Sequence, residues 1–200
     1  MGSDLDMSPG PEIRGQGRKG TLVYVMGPSG AGKDSLIGLA MEAALIGLVV
    51  APRLVTRAGQ GNQGDLCLSR ESFLELSREG RLALSWESHG HLYGIGKEIE
   101  AMTAQGLTVI VNGSREYYPQ ARERYPDLVP VLVTASPESL KARLENRARE
   151  DSASIAERLS RTNESLNLPL GGLVAIDNSG DINTASERFI SLLRGFLNRD

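Results

Sequence analysis

The sequence predicts a three-layer α/β sandwich, in which helices cover both faces of a central parallel sheet. Short apolar runs rich in β-branched residues alternate along the chain with amphipathic helical segments, as in consecutive βα units. The first run, TLVYVM, is followed by a Gly-rich turn and a helical segment. At 200 residues the chain is long enough for one such core with an inserted subregion.

The strands are predicted where these apolar runs occur. TLVYVM over residues 21–26 is the first, and LVVAPRLVT over residues 48–56 is predicted as a single second strand. Further buried strands are predicted over residues 107–112, 128–134 and 172–177. Because helices separate them, the strands are expected to run parallel, with right-handed crossovers.

Helices are predicted between the strands from their apolar spacing and end signals. The first runs from Lys33 to about Leu45, and the next two are KEIEAMTAQ and REYYPQARERY. PESLKARLENR follows, with Ser136 as its N-cap and Pro137 at its first position. The segment INTASERFISLLRGFL is expected to form an amphipathic C-terminal helix.

Three segments depart from the βα rhythm. Residues 1–20 are polar and rich in Gly and Pro, and are predicted to be a flexible leader outside the single domain of residues 21–200. Residues 57–96 are broken into short polar pieces, which indicates an inserted acceptor-binding subregion. Residues 147–164 are highly charged with few core positions, which is typical of a mobile lid.

Composition narrows the partners and the setting. A net charge of -3 and a pI near 5.5 argue against nonspecific nucleic-acid binding. No apolar run approaches the roughly 20 residues that a membrane helix needs. A single cysteine, Cys67, cannot form an intrachain disulfide and suits a reducing, cytoplasmic setting. The oligomeric state stays open, with a homodimer as one option.

The strongest motif is GPSGAGKDS, which lies directly after a predicted strand and before a helix. Its glycines let successive backbone N–H groups point inward around phosphates, the helix N-terminus adds partial positive charge, and the lysine reaches the β- and γ-phosphates. This predicts an ATP site at Gly27, Pro28, Ser29, Gly30, Ala31, Gly32 and Lys33.

Asp34 follows the lysine where such loops usually carry Ser or Thr. The usual hydroxyl ligates Mg²⁺, and an anionic oxygen is a stronger Mg²⁺ ligand. We therefore expect Asp34 to hold Mg²⁺ directly or through water, with Ser35 as the neutral alternative. An aspartate in the first turn that only favours the helix dipole is the other interpretation.

Arginines are concentrated in and just before the predicted lid. Guanidinium groups that close over a transferring phosphoryl group stabilise its charge. Arg147 and Arg158 are the leading pair for this catalytic role, although any single arginine is expected to lie on a solvated helix face. The complete set is Arg143, Arg147, Arg149, Arg158 and Arg161.

Taken in order, four segments resemble guanylate kinases: GPSGAGK, TRAGQGNQGDLCLSRESF, ESHGHLYG and RLENRAREDSASIAERL. The resemblance covers about residues 21–197. Within that superfamily the chain looks most similar to the ribose 1,5-bisphosphokinases of phosphonate degradation, through GPSGAGKDS, LALSW, YGIG, VNGSR and RLENR. The resemblance implies the P-loop fold of nucleoside-monophosphate kinases.

The resemblance also implies site residues. Acceptor and transferring phosphates would be bound by Thr56, Arg57, Tyr93, Gly94, Arg147 and Arg158, and the adenine end would lie near Asn178. The chain departs from guanylate kinases at Gln60, Asp65, Ile95 and Ser114, and of the guanine-reading pair only Glu87 is retained. Because polar recognition sites lose much affinity when a hydrogen-bonding group is missing, guanylate is a poor acceptor candidate.

The activity that the resemblance implies is transfer of the ATP γ-phosphoryl group to the 1-phosphate of ribose 1,5-bisphosphate. Arg57, Arg115 and Tyr93 are candidates to grip acceptor phosphates. Glu87 is a candidate to contact sugar hydroxyls, with an exposed or ion-paired glutamate as the equal alternative. Asn112 lies at the end of a central strand where related enzymes carry Asp, so the carboxylate for Mg²⁺ is expected to have moved to Asp34. Alternatives are a nucleoside-monophosphate kinase and, from another class, a non-catalytic guanylate-kinase-like scaffold.

Overall fold

The computed structural model describes residues 19–57, 64–146 and 172–198, and for residues 144–146 it describes the backbone only. These residues form a central sheet, a second smaller sheet and six helices. In chain order the elements are β1 (Leu22–Met26), α1 (Lys33–Glu42), β2 (Leu48–Val50), β3 (Arg53–Val55), β4 (Asp65–Cys67), α2 (Arg70–Arg78), β5 (Leu82–Ser88), β6 (His91–Gly96), α3 (Glu98–Ala104), β7 (Thr108–Asn112), α4 (Tyr118–Arg124), β8 (Val129–Thr134), α5 (Pro137–Asn146), β9 (Val174–Asp177) and α6 (Ile182–Leu197).

The central sheet has five strands in the order β2-β7-β1-β8-β9, and every neighbouring pair is parallel. Strand β1 lies in the middle and is buried at every position. Its alternate side chains enter two cores: Val23 and Val25 pack among α1, α5 and α6, whereas Tyr24 packs on the other face among α3, α4 and the second sheet. This confirms the three-layer prediction.

Most helix ends follow the signals in the sequence, but α1 ends early and α4 begins at Tyr118, later than the predicted start at Arg115. Helix α6 matches its predicted range, and its N-cap Asp181 accepts a hydrogen bond from Asn183 N at 3.1 Å. Ser136 caps α5 as predicted, accepting from Ser139 N at 3.2 Å. Helix α1 ends at Glu42, earlier than predicted, because Ala44 takes a left-handed φ of 48° that no helix continues through.

The single strand predicted over residues 48–56 is wrong. Pro52 divides it, because proline has no N–H to donate to a ladder. Strand β2 before it pairs with β7 in the central sheet, whereas β3 after it pairs with β4 and β6 in the second sheet. The second sheet, ordered β4-β3-β6-β5, therefore begins at Arg53, ahead of the predicted subregion boundary at residue 57.

Most of the predicted leader and all of the predicted lid fall outside the described residues. The lid, residues 147–164, lies outside the described residues, and so do all but the last two residues of the leader. Among the described helices, none combines the length and the apolar character that a bilayer crossing requires.

Candidate active site

The Gly-rich segment joins the carboxyl end of β1 to α1, as the motif predicts. Ala31 N donates to Pro28 O at 3.2 Å, which closes the turn. Lys33 is the first residue of α1, and its Nζ donates to the carbonyl oxygens of Gly27 at 2.7 Å and Pro28 at 3.0 Å. The ammonium is therefore held across the curled backbone of the loop. Ser29 and Ser35 lie exposed beside it.

Gly32 requires glycine on two grounds. Its φ of 90° is left-handed, and a Cβ there would lie 2.4 Å from Asn178 Nδ2. Asn178 itself is buried, and its Nδ2 donates to Ala31 O at 2.7 Å. The structure thus brings Asn178, predicted near the adenine end, directly against the phosphate loop as a brace.

Arg143 joins this group from α5. Its Nη2 donates to Asn178 O at 2.8 Å, and its Nη1 lies close to Gly32. Arg143 Nη1 and Asn178 Oδ1 are both buried without a hydrogen-bond partner among the described residues. Sequence reasoning placed Arg143 among the lid arginines and favoured others. The sequence feature that points to Arg143 is its position one helical turn before the predicted lid.

Asp34 and Asn112 meet at the same edge of the sheet. Asn112 Nδ2 donates to Asp34 Oδ1 at 2.6 Å, and Asn112 is largely buried. Asn112 Oδ1 is buried without a partner in the described parts of the chain. A carboxylate and an amide oxygen that lacks a donor are oxygen ligands of the type Mg²⁺ prefers, so these residues fit the ion.

No group of three potential His, Cys, Asp or Glu ligands occurs among the described residues. Mg²⁺ keeps several waters and seldom occupies an all-protein cage, so a magnesium site does not require such a cluster.

The loop after β7 carries charged side chains toward the second sheet. Ser114 Oγ donates to Glu116 Oε2 at 2.5 Å, and Tyr24 Oη donates to Ser114 O at 2.8 Å. Burial lowers the pKa of Arg115, and the nearby charge of Glu116 offsets this only in part by raising it. Burial also raises the pKa of Glu116, but the Ser114 hydrogen bond, its own backbone N–H, Arg115 and His89 together bring that pKa below its ordinary value.

The second sheet presents an aromatic and cationic face. Tyr93 stacks on Trp86 with ring centroids 5.7 Å apart, and the Arg53 guanidinium lies 5.5 Å from the Tyr93 centroid. Arg53 is held by Asp65 through two hydrogen bonds of 2.9 and 3.1 Å. Sequence reasoning missed Arg53 and noted Asp65 only as a departure.

Thr56 and Arg57 extend from β3 at the end of this sheet. Thr56 Oγ1 accepts from Leu92 N at 2.8 Å, so its hydroxyl helps to close the sheet. Arg57 is partly buried at the end of the described segment. Gly94 is packed from the outer face, where a Cβ would lie 3.0 Å from the Phe73 ring of α2. Its lack of a side chain therefore serves packing.

The register places Glu87 and Tyr93 on opposite faces of the second sheet. Trp86 pairs with Tyr93 across β5 and β6, and Glu87 pairs with Leu92. Since side chains alternate along a strand, exposed Glu87 leaves the face opposite Tyr93. The predicted lid residues Arg147 and Arg158, together with Gln60, lie outside the described residues.

Comparison with known proteins gives a consistent result. The chain is 43% identical over 178 residues to the ribose 1,5-bisphosphate phosphokinase PhnN of Thiobacillus denitrificans, covering 88% of this chain and 93% of that protein. It is 43% identical over 179 residues to the protein of the same name from Chromobacterium violaceum, covering 89% and 96% of the two chains. No model of a known protein family matches the chain.

Among solved structures, the guanylate kinase of Anaplasma phagocytophilum superposes with a TM-score of 0.68. The match covers 90% of this chain and 88% of that one at 20% sequence identity, so it shows the fold alone.

Proposed function

Since this chain belongs to the ribose 1,5-bisphosphate phosphokinase family of phosphotransferases, we propose that it transfers the γ-phosphoryl group of ATP to the 1-phosphate of ribose 1,5-bisphosphate. The product is 5-phospho-α-D-ribose 1-diphosphate. The observation that carries the proposal is the meeting of Lys33, Asp34 and Asn112 at one edge of the parallel sheet, where ligands of open α/β sheets bind.

The ATP side is formed by the phosphate loop and its brace. Backbone N–H groups of residues 29–33 hold the phosphates, and Lys33 Nζ exchanges its loop carbonyls for phosphate oxygens. Arg143 Nη1 and Asn178 Oδ1, both buried beside Gly32, supply a donor and an acceptor for the nucleotide. The lid arginines Arg147 and Arg158 remain candidates for the transferring group.

The acceptor side is formed by cations on the second sheet and the β7–α4 loop. Arg57 follows β3, Arg115 follows β7, and Tyr93 lies on β6 in the second sheet. An arginine binds a phosphate through two parallel hydrogen bonds, which fixes both position and orientation. Thr56 holds the strand end from which Arg57 extends. Glu87 lies on the face of the sheet opposite Tyr93, so we do not assign it to the acceptor site.

Asp34 and the Oδ1 of Asn112 would hold Mg²⁺, with Ser35 beside them. When bound, the ion supplies neutralisation of the charge that develops on the phosphate oxygens. Asn112 Nδ2 keeps the Asp34 carboxylate oriented for this role.

The reaction needs positioning more than acid–base chemistry. The nucleophile is an oxygen of the 1-phosphate, already anionic, so no general base is required. One P–O bond forms between that oxygen and the γ-phosphorus, and the bond from the γ-phosphorus to the bridging oxygen breaks, releasing ADP. The protein aligns the two phosphates and neutralises their repulsion.

The cellular compartment is proposed from the substrates and from the state of the single cysteine. We propose a cytoplasmic enzyme whose partners are ATP and a small phosphorylated sugar. Its single cysteine, Cys67, is exposed on the edge strand β4, where a reducing compartment keeps a thiol intact.

A coupled assay for 5-phospho-α-D-ribose 1-diphosphate tests the proposal. Wild-type protein with MgATP and ribose 1,5-bisphosphate is expected to form the product, and Lys33→Ala to lose it by a factor of about 10² or more. Lys19→Ala, at an exposed ion pair with Asp127, is the matched control and keeps wild-type activity. Guanylate is assayed in parallel; turnover of guanylate without the diphosphate product contradicts the proposal.

A further inference from the structure

A row of flat side chains crosses from the second sheet to the edge of the central sheet. The Arg53 guanidinium lies over Tyr93, Tyr93 stacks on Trp86, and Trp86 stacks on Tyr117. The Trp86 ring is 5.7 Å from each tyrosine ring, with interplanar angles of 10° to Tyr93 and 26° to Tyr117. An indole lying flat between two phenol rings takes the position that a nucleobase takes in a stacking slot.

The sheet register fixes one end of this row. Trp86 and Tyr93 are direct cross-strand partners, and Arg53 is diagonal to Tyr93 on the next strand. Asp65 is opposite Arg53 and binds it through both carboxylate oxygens, with side-chain exposures of 14% for Arg53 and 5% for Asp65. A buried two-bond ion pair therefore anchors the aromatic rings.

The other end of the row belongs to the phosphate-binding edge. Tyr117 precedes α4 in the loop that follows Asn112, the partner of Asp34. Ser85 N also lies 3.5 Å from Tyr117 Oη. Trp86 thus lies between the second sheet and the edge of the central sheet that carries the phosphate loop.

The surroundings of this slot offer little for a base to bind. On the same sheet face as Trp86, Leu84 and Ile95 are 1% and 0% exposed and belong to the core. Ser114 donates its hydroxyl to Glu116, and its carbonyl accepts from Tyr24. A site that reads a base needs hydrogen-bonding groups at the base edge. Of the described residues named here, Leu84 and Ile95 are apolar, and Ser114 already makes hydrogen bonds within the protein.

We propose that Trp86, held by Tyr93 and Tyr117, is a specificity-determining residue that fills the nucleobase slot of the acceptor cleft. A phosphorylated sugar without a base fits beside the stack, whereas a nucleoside monophosphate is excluded by the indole. This inference rests on the proposed function, because it assigns the acceptor selectivity of that same site.

Binding of adenosine and guanosine 5′-monophosphate to wild type and Trp86→Ala tests the proposal, with ribose 5-phosphate as the base-free probe. Saturating MgADP occupies the phosphate loop during the titrations. The variant is expected to gain at least about tenfold in affinity for both nucleotides, as expected for an opened stacking slot. Its affinity for ribose 5-phosphate stays unchanged. Trp86→Phe, which keeps a stacked ring, stays close to wild type.

Equal nucleotide affinities of wild type and Trp86→Ala overturn the proposal, as does an equal gain for ribose 5-phosphate. Trp86→Val also removes the flat ring but keeps a β-branched apolar side chain on the strand, so it serves if Trp86→Ala fails to fold, and it is expected to give the same selective gain. A wild type that forms no diphosphate product contradicts the proposed function, while the nucleotide titrations still report on the stack.

Trp86 is the only tryptophan of the chain, so its fluorescence reports on the slot directly. In wild type, ribose 5-phosphate is expected to lower the quenching of this fluorescence by acrylamide, whereas adenosine 5′-monophosphate leaves it unchanged. Protection of the fluorescence by the nucleotide in the presence of MgADP contradicts the assignment.

Discussion

Asn112 Nδ2 donates a hydrogen bond of 2.6 Å to Asp34 Oδ1, joining the end of β7 to the first turn of α1 across 78 residues of sequence. The contact places one carboxylate and one amide where they touch each other and the phosphate loop. Asn112 Oδ1 is buried without a partner among the described residues. The two side chains therefore form a pair. Swapping the carboxylate and the amide between the two positions tests this pairing.

The exchange variant Asp34→Asn with Asn112→Asp keeps one carboxylate and one amide in the pair. Each single variant is expected to lower kcat/KM at limiting Mg²⁺ by about 10- to 100-fold. Asp34→Asn removes the carboxylate, and Asn112→Asp sets two carboxylates against each other. The double variant is expected to recover at least about tenfold over Asn112→Asp. Magnesium titrations of activity measure this, and additive losses contradict the pairing.

Arg143→Met is expected to raise the KM for ATP by about tenfold or more, because a hydrogen bond to a charged group contributes about 1.5–3 kcal/mol. The kcat is expected to change less. Arg122→Met is the matched control, since Arg122 also donates to a backbone carbonyl, Leu128 O at 2.7 Å, but from α4. An equal rise in KM for both variants contradicts a nucleotide contact by Arg143.

The Arg53–Asp65 pair predicts an asymmetric stability effect. Asp65→Ala leaves a largely buried guanidinium without its partner and is expected to lower the free energy of unfolding by about 3–5 kcal/mol. Replacing both residues with apolar ones, as in Arg53→Met with Asp65→Leu, is expected to cost less than the single change. Urea unfolding measures both. A single variant that loses under about 1 kcal/mol refutes the anchor role.

The Glu116 pKa predicts a pH-dependent contribution to stability. Because the folded pKa lies below the ordinary one, the stabilisation is present above roughly pH 4.3, the ordinary glutamate value, and is lost as pH falls through the folded pKa. The melting temperature of Glu116→Gln is therefore expected to lie below that of wild type at neutral pH and to converge with it in acid. Glu123→Gln, exposed on α4, is the control. A difference that persists in acid contradicts this account.

Much of the fold is readable from the sequence because its signals are local. The alternation of apolar runs and helices gives the parallel sheet, and the ranges of α6 and of the Ser136 cap follow from end signals. The phosphate loop is recognised because its glycines, lysine and strand–helix context occur together. The proposed exchange of charge between Asn112 and Asp34 comes from the resemblance, since related enzymes carry Asp at this strand end, and the structure brings the two side chains into contact.

Long-range packing explains what the sequence leaves undetermined. Pro52 breaks a strand, but only the sheets show that the two halves join different ladders. The Trp86 stack depends on a register and a loop that are distant in sequence, so the residue reads locally as core. Glu87 resembles an acceptor residue until the alternation of β5 sets it on the opposite face.

Phosphorus NMR of wild-type protein with MgATP and ribose 1,5-bisphosphate tests the central claim most directly. Transfer to the 1-phosphate predicts loss of that phosphate resonance and the appearance of a coupled pair from a new diphosphate, at the rate at which ADP forms. Lys33→Ala is expected to show neither change. Formation of ADP with inorganic phosphate alone, while the sugar resonances persist, would contradict the account.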